Sequence, residues 1–258
     1  MSPLVIGPRE VVALARYQRR DRGHPGLLLV SGVLAEQLAR ELRAGGDPAA
    51  VRTSGEPTEA GAFVRVLAGA ATAEDERLLR VAARAVVPTV VVQTADVAVR
   101  VPYVLAEDVV GCPPGSGFPV HAIADRLAAG LGGHGPALAT SLPVLRHAVE
   151  RRLALEGAVS AGTVAALRAA EGPRLPVLVL AQARLLTDIE AAGGKTAEGD
   201  GAAAAQALAM PLGAALATGY AARTLVRRLP GRSRLLDGLV AAGGSLALAA
   251  AFRRLPRP

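Results

Sequence analysis

Three short stretches of this chain carry residues whose types and spacing could do chemistry. Ser31-Gly32-Val33-Leu34 joins the apolar run Leu27-Leu28-Leu29-Val30 to a helical pattern around Glu36-Gln37-Leu38-Ala39-Arg40. Such a turn cradles phosphate when it is glycine-rich and closes on Gly-Lys-Ser/Thr, because backbone N–H groups and the lysine then face the anion. Here the turn holds one glycine, and the single lysine of the chain is Lys195. Gln93-Thr94-Ala95-Asp96 follows a second buried run and sets two polar side chains and a carboxylate at a strand end. The third stretch is basic. Residues 223–258 carry eight arginines (Arg223, Arg227, Arg228, Arg232, Arg234, Arg253, Arg254 and Arg257) against one aspartate.

That segment alone accounts for the net charge of +7, since residues 1–135 balance 14 basic against 14 acidic groups. Clustered arginine suits an acidic partner: lipid headgroups, nucleic acid or an acidic protein. A solvated set of helix ends is the plain alternative. Aromatic residues make up 2% of the chain, which removes the stacking platforms that single strands need and ranks nucleic acid last. His24, His121, His134 and His147 show no metal spacing, so no metal site is expected. Cys112 stands alone, which forbids an intrachain disulfide and points to a reducing compartment. The first residues lack a long apolar core and do not read as a signal peptide. A cytoplasmic location is expected, with peripheral attachment to the inner membrane face as the variant.

The elements that must position these groups follow from periodicity and punctuation. Residues 8–20 read as a short amphipathic helix opened by Pro8. Leu27 to Val30 reads as a strand buried on both faces. A helix over 33–44 stops at Gly45-Gly46. Ala49 to Thr53 and Phe63 to Leu67 read as strands, and no helix fits between them. Parallel neighbours need a crossover of a dozen or more residues, so an antiparallel hairpin is expected there. Thr72-Ala73-Glu74-Asp75 forms a capping box for a helix that ends near Val86, before Pro88. Thr89 to Gln93 is the clearest buried strand. Val101 to Leu105 reads as a further one, with a Gly/Pro loop over 111–117 and a helix over 119–131 behind it.

From Gly132 onward the pattern is helical: 138–155, 158–170, 174–192, 202–228 and 234–254, punctuated by prolines and glycine pairs. The expected fold class is therefore α/β, a doubly wound, mostly parallel sheet with one antiparallel hairpin, followed by an all-α helical domain. The expected domains are 1–25, 26–132 and 136–258. Residues 201–222 have the length of a membrane span without a charge, but their Ala/Gly content, Gln206 and Pro211 give little transfer energy. A helix pair buried in the protein or docked at a lipid surface is the preferred reading.

Taken in order along residues 26–254, these features resemble an Era-like small GTPase domain followed by a YcjF-like helical domain. The similarity rests on Gln93-Thr94-Ala95-Asp96 where the family reads its base, on Val101 to Val120, on Gln182-Ala183-Arg184 followed by Ile189 and Gly193, and on Gly219-Tyr220-Ala221-Ala222-Arg223. The resemblance implies a degenerate nucleotide pocket at Ser31, Gly32, Gln93, Thr94 and Asp96. The chain departs from the family where chemistry would be done. The phosphate loop has neither lysine nor the following hydroxyl, and Glu36 brings negative charge toward it. Ala68-Gly69-Ala70-Ala71-Thr72 replaces the Asp-x-x-Gly metal loop. Phosphoryl transfer depends on a positive clamp and a metal, so no catalysis and no cofactor are expected. The preferred expectation is a non-catalytic scaffold or regulator. It would bind a protein partner or an anionic membrane surface through Arg223, Arg227, Arg228, Arg232, Arg234, Arg253 and Arg254, with homo-oligomerisation through the helical domain left open. The alternative is a GTP-binding protein with a degenerate site.

Overall fold

The computed structural model describes residues 26–95 and 100–167, together with helical positions between Gln182 and Ala250. The chain divides into two compact units, with the division at Val149 and Glu150 inside one long helix.

The first unit is built on five strands: β1 (Leu28–Gly32), β2 (Val51–Arg52), β3 (Ala62–Leu67), β4 (Thr89–Gln93) and β5 (Val109–Gly111). All pairings are parallel and the order is β2-β1-β3-β4-β5. This is the order of flavodoxin-like doubly wound sheets. Continuous apolar runs form the central strands because both faces are covered. Leu29, Phe63, Leu67 and Val91 pack with Leu78, Leu79 and Ala82 of α2 (Ala73–Arg84). Leu28, Val30, Val64, Val66, Val90 and Val92 alternate with them and are fully buried toward the opposite face. That side belongs to α1 (Ala35–Leu42), which lies against β1, and α3 (Val120–Leu131), which lies against β4. Two further helices follow, α4 (Gly135–Ser141) and α5 (Pro143–Leu167), and Pro143 opens the second of them. The sequence pattern merges them into one helix from Leu138, yet Leu142 adopts an extended backbone that separates them.

Two strand assignments are corrected. The expected antiparallel hairpin between Ala49–Thr53 and Phe63–Leu67 does not form. β2 and β3 flank β1 on opposite sides, and both run parallel to it. The crossover rule assumes full-length strands. Here β2 is two residues long, and Val51 and Ala62 share the register of Leu28. The link over residues 53–61 therefore moves sideways by about 10 Å, two strand spacings, with almost no return climb. A 3-10 turn at Pro57–Glu59 shapes it, and Arg77 on α2 pins it by an ion pair to Glu56 at 3.1 Å. The expected strand Val101–Leu105 is also absent. Pro102 has no N–H to give a ladder, and Tyr103 sits at φ 65°, outside strand geometry. Val101 is buried against the α2-side core from an irregular connection. The fifth strand comes later, at Val109–Gly111.

In the second unit, every described residue is helical. Ala154 packs with Leu185, Ile189 and Ala249. Gly157 lets two helices approach, since a Cβ there would lie 2.7 Å from Leu185 Cδ2. Gln182 donates to Ser245 Oγ at 3.3 Å in this apolar setting, and both side chains are buried. No helix among the described residues is long and apolar enough to cross a membrane. The expected helix over 202–228 lies outside the described residues.

Candidate functional site

Open α/β sheets bind ligands outside the carboxyl ends of their strands, at the point where successive crossovers leave to opposite faces. Here that point falls between β1 and β3. The chain leaves β1 for α1 on one face and β3 for α2 on the other. Two turns rim it, Gly32–Leu34 and Ala68–Thr72.

The first turn is shaped by close backbone approach. Gly32 has φ 103°, and a Cβ at this position would sit 2.1 Å from the Val66 carbonyl oxygen. Only glycine admits that conformation at that distance. Val33 N–H then donates to the same carbonyl at 3.1 Å. Leu34 follows in the left-handed region at φ 57° and stands at the N-cap of α1 with no capping side chain. Val33 and Leu34 are 49% and 52% exposed, so the rim of this turn is apolar. Glu36, whose charge would oppose a phosphate here, accepts from Thr53 Oγ1 at 2.6 Å.

The second turn is organised by charge. Arg65 is a charged residue inside an otherwise apolar strand, and strand alternation points it to the α2 side beside Ser31, its register partner on β1. Its Nε donates to Asp75 Oδ1 at 2.7 Å, its Nη2 donates to the same oxygen, and its Nη1 donates to Ser31 Oγ at 2.9 Å. Asp75 is the third residue of α2. Its Oδ2 accepts from Thr72 N–H at 2.8 Å and from Thr72 Oγ1 at 2.7 Å, while Asp75 N–H donates back to Thr72 Oγ1. The capping box expected at Thr72–Asp75 is thus extended into the sheet. Burial alone would raise the Asp75 carboxyl; the hydrogen bonds from Thr72 and Arg65 outweigh it and hold the group below the ordinary carboxylate value. The side chains of Arg65 and Asp75 are 14% and 7% exposed.

The structure therefore joins Ser31 to Arg65 and gives Gly32 a steric duty. Gln93 is buried, and its carbonyl accepts from Cys112 N–H at 2.7 Å. Thr94 turns inward, giving its N–H and hydroxyl to the Leu67 carbonyl at 2.9 and 3.3 Å. Gln93 ends β4 and Thr94 follows it, and β3 separates that strand from Ser31. Asp96 and the arginines at 223, 227, 228, 232, 234, 253 and 254 lie outside the described residues. Arg65 was not among the expected site residues; the signal for it is one arginine interrupting Phe63-Val64-x-Val66-Leu67. No group of three or more His, Cys, Asp or Glu side chains converges among the described residues. Chemically, the arrangement holds one anion firmly, and that anion is the protein's own. Compared with protein-family models, curated proteins and solved structures, the chain gives no match.

Proposed function

We propose that this chain is a non-catalytic scaffold or regulator: an α/β module of GTPase-like layout, followed by an all-α helical domain. In this reading the helical domain and the basic segment 223–258 contact a protein partner or an anionic membrane surface from the cytoplasmic side. The observation that carries the reading is the Arg65–Asp75 pair. At the sheet's switch point, where a nucleotide's phosphates need free positive charge, the arginine beside Ser31 is neutralised by a buried carboxylate. The rim turn adds Val33 and Leu34, apolar side chains unsuited to a triphosphate.

Titration calorimetry of the full chain with GTP and GDP, with and without Mg²⁺, tests the non-catalytic half. No heat of binding is expected. A micromolar isotherm that disappears in Asp96→Ala would instead establish the degenerate nucleotide site. Flotation with vesicles containing anionic lipid tests the other half. Charge reversal at Arg227, Arg228, Arg253 and Arg254 is expected to abolish vesicle capture or partner pull-down, and unchanged capture would defeat it.

A further inference from the structure

We infer that the pocket around Asp75 is a small-oxyanion site that the chain occupies with its own side chain. The four donors around this carboxylate, two on each oxygen, come from Arg65 Nε, Arg65 Nη2, Thr72 N–H and Thr72 Oγ1. A guanidinium, a hydroxyl and a backbone N–H at a helix start are the donors that recognise a free carboxylate or phosphate, by charge-assisted bonds and the helix dipole. The inference rests on the proposed reading of a site closed to external nucleotide, and gives that closure a physical agent.

The cradle does not depend on Asp75 for its shape. Arg65 is fixed at Cα level by β3, which is paired to β1 and β4 on its two sides. The far side of its guanidinium is anchored on Ser31 Oγ at 2.9 Å. Thr72 N–H is a backbone group at the N-cap of α2, a helix of 12 residues. The neighbouring carboxylate of Glu74 is already engaged, since Arg77 holds both of its oxygens at 2.9 Å. Removing the Asp75 carboxyl therefore leaves a cationic hollow the size of the lost group. Its ligand class is a small oxyanion; formate matches the lost carboxylate in size, and phosphate fits only if the hollow widens.

The test is chemical rescue of Asp75→Ala in the full chain, followed by thermal denaturation in formate, acetate or phosphate against chloride at equal ionic strength. A saturable rise in Tm is expected, about 3–6 °C at ten times the dissociation constant. Wild type should show no such rise, and the Arg65→Met/Asp75→Ala double variant should lose it. A response to formate and acetate alone assigns the site to carboxylates; a response to phosphate assigns it to phosphate. Equal behaviour of formate, phosphate and chloride with Asp75→Ala overturns the inference, as does an equal rise in wild type. Should Asp75→Ala fail to fold in chloride, refolding is measured in formate. Recovery there supports the site, and failure in every oxyanion overturns it. GTP titration of wild type is independent of these outcomes, so the scaffold reading and the filled-site inference can fail separately.

Discussion

The two turns at the switch point solve one problem in opposite ways. Each must carry the chain from a buried strand into a helix whose first N–H groups have no intrahelical partner. After β3 the chain supplies Thr72 and Asp75, which answer each other's N–H groups inside a polar cluster that also reaches Arg65 and Ser31. After β1 it supplies Gly32, Val33 and Leu34: a steric solution with no capping side chain and an apolar rim. The turn after β3 is closed chemically and the turn after β1 is left open. Charge at this place in the fold therefore serves to join β1, β3 and α2, and the surface presented outward is hydrophobic.

The sharpest way to break this contrast is to remove the carboxylate. Asp75→Ala strands Arg65 in a buried site, and breaking one side of such a pair costs about 3–5 kcal/mol. Replacing both partners, as in Arg65→Met/Asp75→Leu, is expected to be far milder, because the desolvation of two charges is removed together. Urea unfolding of the three proteins decides it; equal losses in single and double variants would mean the ion pair is not the organising contact. The pH dependence has a definite sign. Asp75 lies below its ordinary value near 3.8 in the folded protein, so its contribution is complete above that value. It is lost as pH falls through the lower folded value. The stability gap between wild type and Asp75→Ala should be constant near neutrality and narrow below pH 3.8.

The glycine turn should fail by steric means alone. Gly32→Ala places a Cβ against the Val66 carbonyl in a backbone region that alanine avoids. Overpacking and the left-handed conformation together are expected to cost about 3 kcal/mol. The loss should be independent of pH between 5 and 8, since no titrating group is involved. A pH-dependent loss would show that this turn, too, is held by charge.

Much of the first unit was legible because its signals are local. The runs Leu27–Val30, Phe63–Leu67 and Thr89–Gln93 announce buried strands, and Thr72–Asp75 announces its own capping box. What escaped was set by distance in sequence. The partner of β2 is decided by which strand lies beside it in space, and a two-residue strand carries too little pattern to say so. Val101–Leu105 has strand-like composition, yet Pro102 and the left-handed Tyr103 turn it into a core-covering connection. At the site, Ser31 and Gly32 were marked for phosphate by analogy of position. Their actual duties depend on Arg65, which is 34 residues from Ser31, and on the Val66 carbonyl. A lone arginine within a valine-rich strand needs a buried acceptor, and Asp75 is the acceptor the helix provides.

A smaller effect separates capping from ion pairing within the closed turn. Thr72→Ala removes the hydroxyl that accepts from Asp75 N–H and donates to Oδ2, while the Arg65–Asp75 bonds remain. The expected loss is about 1 kcal/mol, the usual worth of an N-cap side chain. A loss as large as that of Asp75→Ala would mean the hydroxyl, and not the guanidinium, anchors the carboxylate.

The mildest change sharpens the contrast from the open side. Leu34→Asn puts a residue that tolerates left-handed backbone, and that favours N-cap positions, where a half-exposed leucine now stands without a cap. A gain of about 0.5–1 kcal/mol is expected in urea unfolding, because leucine is a poor N-cap and strained at φ 57°. Such a gain from one exposed substitution would mean that the chain keeps a less stable turn while polishing the neighbouring one. Retention of Leu34 would then need a reason outside stability. Leu34→Asn should therefore stabilise the chain, whereas an unchanged or lower urea midpoint would mean that the half-exposed leucine already contributes as much at this N-cap as an asparagine side chain can.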